Sequence, residues 1–183
     1  MATKPQDGQL VSPWKEFLGE IDAMLNAPLD LHCIGGFVFS QFYGLPRSTA
    51  DIDYYTTLPA HPNLDEVAGQ GSPLHKKHKI WLHRVAVINL PENYEARLSE
   101  MAPSAMKNLK LLVPDSYDCI LSKLERNSSK DRDDVEYLFR SHHLDVGVLR
   151  ERYKTELRHS LTGPVERHDN TLKLWIDIFQ AGR

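Results

Sequence analysis

The stretch from Leu31 to Tyr55, LHCIGGFVFSQFYGLPRSTADIDYY, constrains this chain more than any other. An apolar run, Leu31 to Ile34, meets Gly35-Gly36. A helical segment, Phe37 to Tyr43, follows and stops at Gly44-Leu45-Pro46, and Arg47-Ser48-Thr49 then leads into Asp51-Ile52-Asp53 and two tyrosines. The order predicts a strand, a glycine turn, a helix and a second strand. Side chains two apart on a strand share a face, so Asp51 and Asp53 project together while Ile52 turns into the core. Two carboxylates held that close repel each other unless a cation lies between them. Magnesium, which prefers oxygen ligands and bridges to substrate phosphates, is the expected occupant, with manganese as the alternative.

The glycine pair admits two readings. Glycine permits a tight turn and a close approach of phosphate to backbone N–H groups, and a helix start adds partial positive charge. Equally, Gly35-Gly36 is a plain strand-to-helix turn. Ser40, about one turn into the helix, either contacts a phosphate or bonds back to its own helix. Arg47 either neutralises phosphate charge or pairs with Asp51 or Asp53 and braces the turn. Thr49 is expected to cap the loop, and Tyr54 and Tyr55 to be strand residues, one in and one out.

Composition narrows the class. A chain of 183 residues, 41% hydrophobic and 26% charged, suffices for one core with a small helical extension. A net charge of -3 and a pI near 6.3 argue against broad electrostatic binding of nucleic acid. Cys33 and Cys119 suit neither a zinc set nor a disulfide framework and read as reduced, buried small hydrophobes. No apolar run approaches 18 residues and no signal peptide is evident, so the expectation is a cytoplasmic protein without a membrane partner.

Elsewhere the pattern is conventional. Met1 to Gly8 is polar and expected to fray. Ser12 is the expected N-cap of a helix with Pro13 first, and Trp14, Phe17, Leu18, Ile21, Met24 and Leu25 are its apolar face. Prolines and glycines from Pro59 to Pro73 mark a loose segment with a short helix at Leu64 to Ala68. His75 to Lys79 read as a solvated hairpin edge and as a candidate RNA contact. His75, His78 and His83 can be drawn as metal ligands, but nothing completes a set. Val85 to Leu90, almost continuously apolar, is the expected next buried strand. Asn93 to Met101 reads as a helix and Leu109 to Val113 as a strand. Asp115 or Ser116 caps a helix, and a second begins near Asp131. Val146 to Leu157 and Thr171 to Phe179 read as amphipathic helices. There is no P-loop, which argues against a Walker-type ATPase.

Gly35-Gly36, a short helix and then Arg47-x-Thr49-x-Asp51-Ile52-Asp53 resemble the signature of the polymerase-beta-like nucleotidyltransferase superfamily, and more narrowly its minimal AbiEii-type toxin branch. The resemblance implies an α/β (α+β) fold: a small mixed sheet as nucleotidyltransferase core over residues 1–114, with a helical C-terminal part over 115–183 packed on it. It implies transfer of a nucleoside monophosphate from a nucleoside triphosphate to an acceptor, a tRNA or a protein hydroxyl, with an antitoxin protein as partner. Asp51 and Asp53 would be shared ligands of two metal ions, while Gly35, Gly36, Ser40, Arg47 and Thr49 would bind the nucleotide. By position, Lys123 would contact the triphosphate, and Asp131 or Asp134 would serve as a late acid or base; alternatively these charges are a helix-start acid cluster and a solvated face. The superfamily pattern also carries a third carboxylate on a strand like Val85 to Leu90. Only Asn89 and, past Pro91, Glu92 are near. That gap supports a second reading, a catalytically silent binder of nucleotide or protein; transfer to a small molecule such as an antibiotic is a third.

Overall fold

Five short segments become the strands of one mixed sheet in the computed structural model, which describes residues 10–181. They are β1 (Leu29–Ile34), β2 (Asp51–Leu58), β3 (Trp81–Arg84), β4 (Ser99–Met101) and β5 (Leu109–Val113), in the order β3-β2-β1-β5-β4. β1 is antiparallel to β2 and parallel to β5, β2 is parallel to β3, and β4 closes against β5 antiparallel. The α/β class with a small mixed sheet is therefore the observed one.

The chain forms two compact units. The first comprises the described residues up to Val87 together with Leu98–Pro114; the second comprises Ile88–Arg97 and the residues from Asp115 onward. In the first unit α1 (Trp14–Met24) precedes the strands, α2 (Gly35–Phe37, continued as a wider turn through Phe42) joins β1 to β2, and α3 (Leu64–Ala68) and α4 (Pro73–His78) join β2 to β3. Trp14, Phe17, Leu18 and Ile21 of α1 are buried, and Trp14 meets Phe37 of α2 edge-on, with ring centroids 5.0 Å apart. Met24, expected on the same face, is 54% exposed because it ends the helix. Ser12 does not cap the backbone; Pro13 takes the cap position, and the Ser12 hydroxyl donates to Glu16 at 2.6 Å.

Three expectations fail here. His75 to His78 lie in α4, not on a hairpin edge: Ser72 caps that helix by accepting from the His75 N–H, and Pro73 starts it. Val85 to Leu90 are not a strand. β3 ends at Arg84 after one last sheet bond from the Val85 N–H to the Tyr54 carbonyl, and Val87 is 78% exposed. This apolar run lies at the connection between units, where continuous hydrophobicity does not report a strand covered on both faces. Asn93 to Met101 divide into one turn of tight helix, Tyr94–Arg97, and strand β4, since Met101 pairs with Leu111 on β5.

The second unit is helical: α5 (Ser116–Leu121), α6 (Ser129–Ser141), α7 (Val146–Arg152, continued through Leu157) and α8 (Val165–Ala181). His168, Leu172, Trp175, Ile176 and Phe179 form the buried stripe of α8, which starts six residues before the expected Thr171. Phe179 stacks on Phe139 of α6 with centroids 4.1 Å apart. Asp118, fully buried, accepts from Arg97 and Arg152, and Arg97 also donates to Glu156. Cys33 and Cys119 are both buried and outside any disulfide, as expected. Met1 to Gly8, expected to fray, lie outside the described residues.

One carboxylate fastens α1 to the start of β5. Asp22 accepts N–H bonds from Lys107 at 3.0 Å, Asn108 at 2.6 Å and Leu109 at 2.7 Å. Burial pushes its pKa up, but the three backbone bonds outweigh this and hold it below the ordinary carboxylate value. Asp22→Ala should lower the unfolding free energy by about 2 kcal/mol at neutral pH, read from the urea midpoint. A lowered native pKa stabilises above the ordinary carboxylate value near pH ~4. The gap between wild type and variant should therefore close as pH falls through the native pKa of Asp22.

Candidate metal and nucleotide site

The alternation of β2 fixes the direction of its carboxylates. Ile52 is completely buried, so Asp51 and Asp53 face the other way, both partly exposed. The pairing of Ile34 with Asp53 carries the end of β1 alongside, and the chain turns immediately at Gly35. Gly35 has φ +70°, and a β-carbon there would lie 2.2 Å from Asp53 Oδ2. Glycine is therefore required twice over, for the backbone angle and for the carboxylate packed on its α-carbon. A β-carbon on Gly36 would lie 3.0 Å from Arg47 Nη2 and 3.4 Å from Thr49 Oγ1. The structure thus gathers Gly35, Gly36, Arg47, Thr49, Asp51 and Asp53 around one turn.

Two further contacts orient the acids. The Thr49 hydroxyl donates to Asp51 Oδ1 at 2.6 Å, so Thr49 holds a carboxylate as well as ending the loop. On the other side, the parallel register of β2 with β3 sets His83 beside Asp53, and His83 Nδ1 lies 2.8 Å from Asp53 Oδ1. Ser40 takes the second of its two readings, its hydroxyl donating back to the Phe37 carbonyl at 3.2 Å. Tyr54 points inward and donates to Asp65 at 2.8 Å.

Lys123, Asp131 and Asp134 belong to the second unit and form a buried cluster of their own. Lys123 Nζ lies 3.1 Å from Asp131 and 3.4 Å from Asp134, which are three residues apart on α6. Ser128 and Asp131 form a reciprocal capping box, so α6 begins at Ser129 and not at Asp131. Burial raises the Asp131 pKa, but Arg126, Ser128 and Lys123 together hold it far below the ordinary carboxylate value. Such a carboxylate is a weak proton acceptor. The candidate substitutes for a third acid also have partners in this unit: Asn89 donates to Glu125, and Glu92 pairs with His159.

A family model described as a nucleotidyltransferase of unknown function (DUF6036) matches residues 16–180. The chain belongs to this family. Searches of curated proteins and of solved structures returned no match. A nucleotidyltransferase family agrees with the superfamily-level resemblance of the Gly-Gly and Asp-Ile-Asp segments, and the geometry fits a divalent ion. Among the described residues, Asp51, Asp53 and His83 each offer a donor atom, and all three atoms lie within 4.8 Å of one another. His83 is the residue that sequence reading undervalued. Its signal was the run Ile80-Trp81-Leu82-His83, a strand whose partner could not be known. No helix among the described residues is long and apolar enough to cross a membrane.

Gly35→Ala should cost about 1–3 kcal/mol in stability, because both a left-handed residue and the Asp53 carboxylate must move. Gly36→Ala should cost less, since only the tips of Arg47 and Thr49 need to shift. Thermal denaturation of the two variants checks this order. Lys123→Met leaves buried carboxylates short of a counter-charge and should cost about 3 kcal/mol, read from denaturant unfolding at neutral pH.

Proposed function

We propose that the chain is a metal-dependent nucleotidyltransferase that moves a nucleoside monophosphate from a nucleoside triphosphate to an acceptor hydroxyl. The observation that carries this reading is the Asp53 carboxylate seated on Gly35, with Asp51 and His83 beside it, in a member of a nucleotidyltransferase family. In such a reaction the acceptor hydroxyl gives up its proton to solvent as its oxygen bonds to the α-phosphorus, the bond from that phosphorus to the bridging oxygen breaks, and pyrophosphate leaves. A divalent ion at Asp51 and Asp53 would supply positive charge where the reacting oxygens become more negative.

The remaining steps fall to the chain's own groups. Gly35 and Gly36 let a phosphate approach the backbone closely, because neither has a side chain to exclude it. Arg47, lying against Gly36, brings a fixed positive charge to the same turn. Thr49 holds Asp51 in one orientation by its 2.6 Å bond. The proposal rests on none of Lys123, Asp131 and Asp134, whose described partners include one another.

The narrower reading is the toxin of a toxin–antitoxin pair, acting on a tRNA or a protein hydroxyl. Its support is the resemblance of Arg47-x-Thr49-x-Asp51-Ile52-Asp53 and of the Lys123 and Asp131 segment to the AbiEii-type branch. The catalytically silent alternative drew on the missing third acid, and His83 supplies a third donor close to the other two.

The test is incubation with each alpha-labelled nucleoside triphosphate, magnesium or manganese, and total RNA and protein extract. A labelled acceptor is expected with the wild type. Asp51→Ala and Asp53→Ala should each reduce labelling by a factor of about 1000 or more, since removal of a metal ligand removes electrostatic stabilisation of the reacting phosphate. Labelling that survives both substitutions would discard the transferase reading.

A further inference from the structure

We infer that His83 is the third protein ligand of the metal site and that its nitrogen makes the site select manganese over magnesium. The inference rests on the reading of Asp51 and Asp53 as the metal-holding pair and goes beyond it in naming the third donor and its consequence. The expected third ligand was an acid on a strand over Val85 to Leu90. That strand does not exist, and its place as the neighbour of β2 is taken by β3, whose His83 stands in register with Asp53.

The spacing suits coordination. Neighbouring ligands of an octahedral ion at about 2.1 Å lie roughly 3 Å apart, and opposite ones roughly 4.2 Å. His83 Nδ1 and Asp53 Oδ1 are 2.8 Å apart, and the full set including Asp51 lies within 4.8 Å. One ion can therefore touch all three after small side-chain adjustments. The surroundings hold the donors in place. Gly35 supports Asp53 from beneath, Thr49 fixes Asp51, and the sheet ladder sets the His83 backbone. The His83 side chain is 58% exposed at the end strand of the sheet, so solvent reaches the nitrogen.

The donor set decides the ion. Magnesium favours oxygen ligands and gives up its water reluctantly, and it relies on the charge of its carboxylates. Here an imidazole nitrogen stands where a third carboxylate was expected. First-row transition ions accept imidazole, and manganese among them also suits carboxylate and phosphate oxygens. Two carboxylates, one imidazole and the oxygens of a triphosphate make a set that manganese tolerates and magnesium binds weakly.

The experiment measures binding without turnover. Manganese and magnesium affinities are determined by calorimetry on the nucleotide-free full chain for wild type, His83→Ala, His83→Asp, Asp51→Asn and Asp53→Asn. Pulsed electron spin resonance of the manganese-loaded wild type reports nitrogen coordination directly, independent of any variant. Expected are nitrogen coupling in the wild type and a loss of about tenfold or more in manganese affinity with His83→Ala. His83→Asp should move the preference toward magnesium. Manganese binding without nitrogen coupling, and unchanged in His83→Ala, would overturn the inference. In that case the loss of binding in Asp51→Asn and Asp53→Asn would still stand for the carboxylate pair. Binding indifferent to those two substitutions would overturn the pair and the inference together.

Discussion

The repulsion between Asp51 and Asp53 is the constraint to which the neighbouring structure responds. Two unit charges within 4.8 Å of each other oppose one another by about 3 kcal/mol at an effective dielectric near 20. Each adjacent element answers part of that cost. Thr49 offers a hydroxyl to one acid, β3 brings an imidazole to the other, and the turn after β1 is stripped of side chains so that a carboxylate fits against it. Arg47 sits one glycine away. The register of β3 against β2 and the left-handed turn at Gly35 are two aspects of one local solution.

The second unit solves a similar problem with cations of its own. Asp131 and Asp134 are buried against Lys123, and Arg126 adds a second cation to Asp131. Asp118 is buried between Arg97 and Arg152. Burial works against the Arg97 charge, but the hydrogen bonds it donates to Asp118 and Glu156 outweigh this and keep it firmly protonated. Each of these buried carboxylates thus has a cation within hydrogen-bonding distance, which offsets the cost of taking its charge out of water.

Much of this was legible from the residues. Alternation marked β2, a proline after an apolar run marked the end of β5, and Asp115 with Asp118 marked the start of α5. The Gly-Gly and Asp-Ile-Asp segments pointed to the acids before any strand pairing was known. What could not be read depended on which strand lies beside which. His83 could be drawn as a metal ligand only in an incomplete set with His75 and His78, because only the register of β3 with β2 brings it to Asp53. The run Val85 to Leu90 had the hydrophobicity of a core strand and none of the neighbours that would make it one. β4 is three residues long, too short for a period of two to be told from a helical one.

The order of strands has a consequence for how the polypeptide assembles as it is synthesised. β1 lies between β2 and β5, and about fifty residues separate the end of β2 from the beginning of β5. Until Leu109–Val113 have left the ribosome, one side of β1 keeps its hydrogen-bonding groups unsatisfied, and Asp22 has no backbone amides to hold. The residues that close the sheet on that side, β5 and β4, arrive after the chain has left the first unit at Ile88 and returned at Leu98. The acidic turn is thus spelled out early in translation, whereas the sheet that steadies it is completed late.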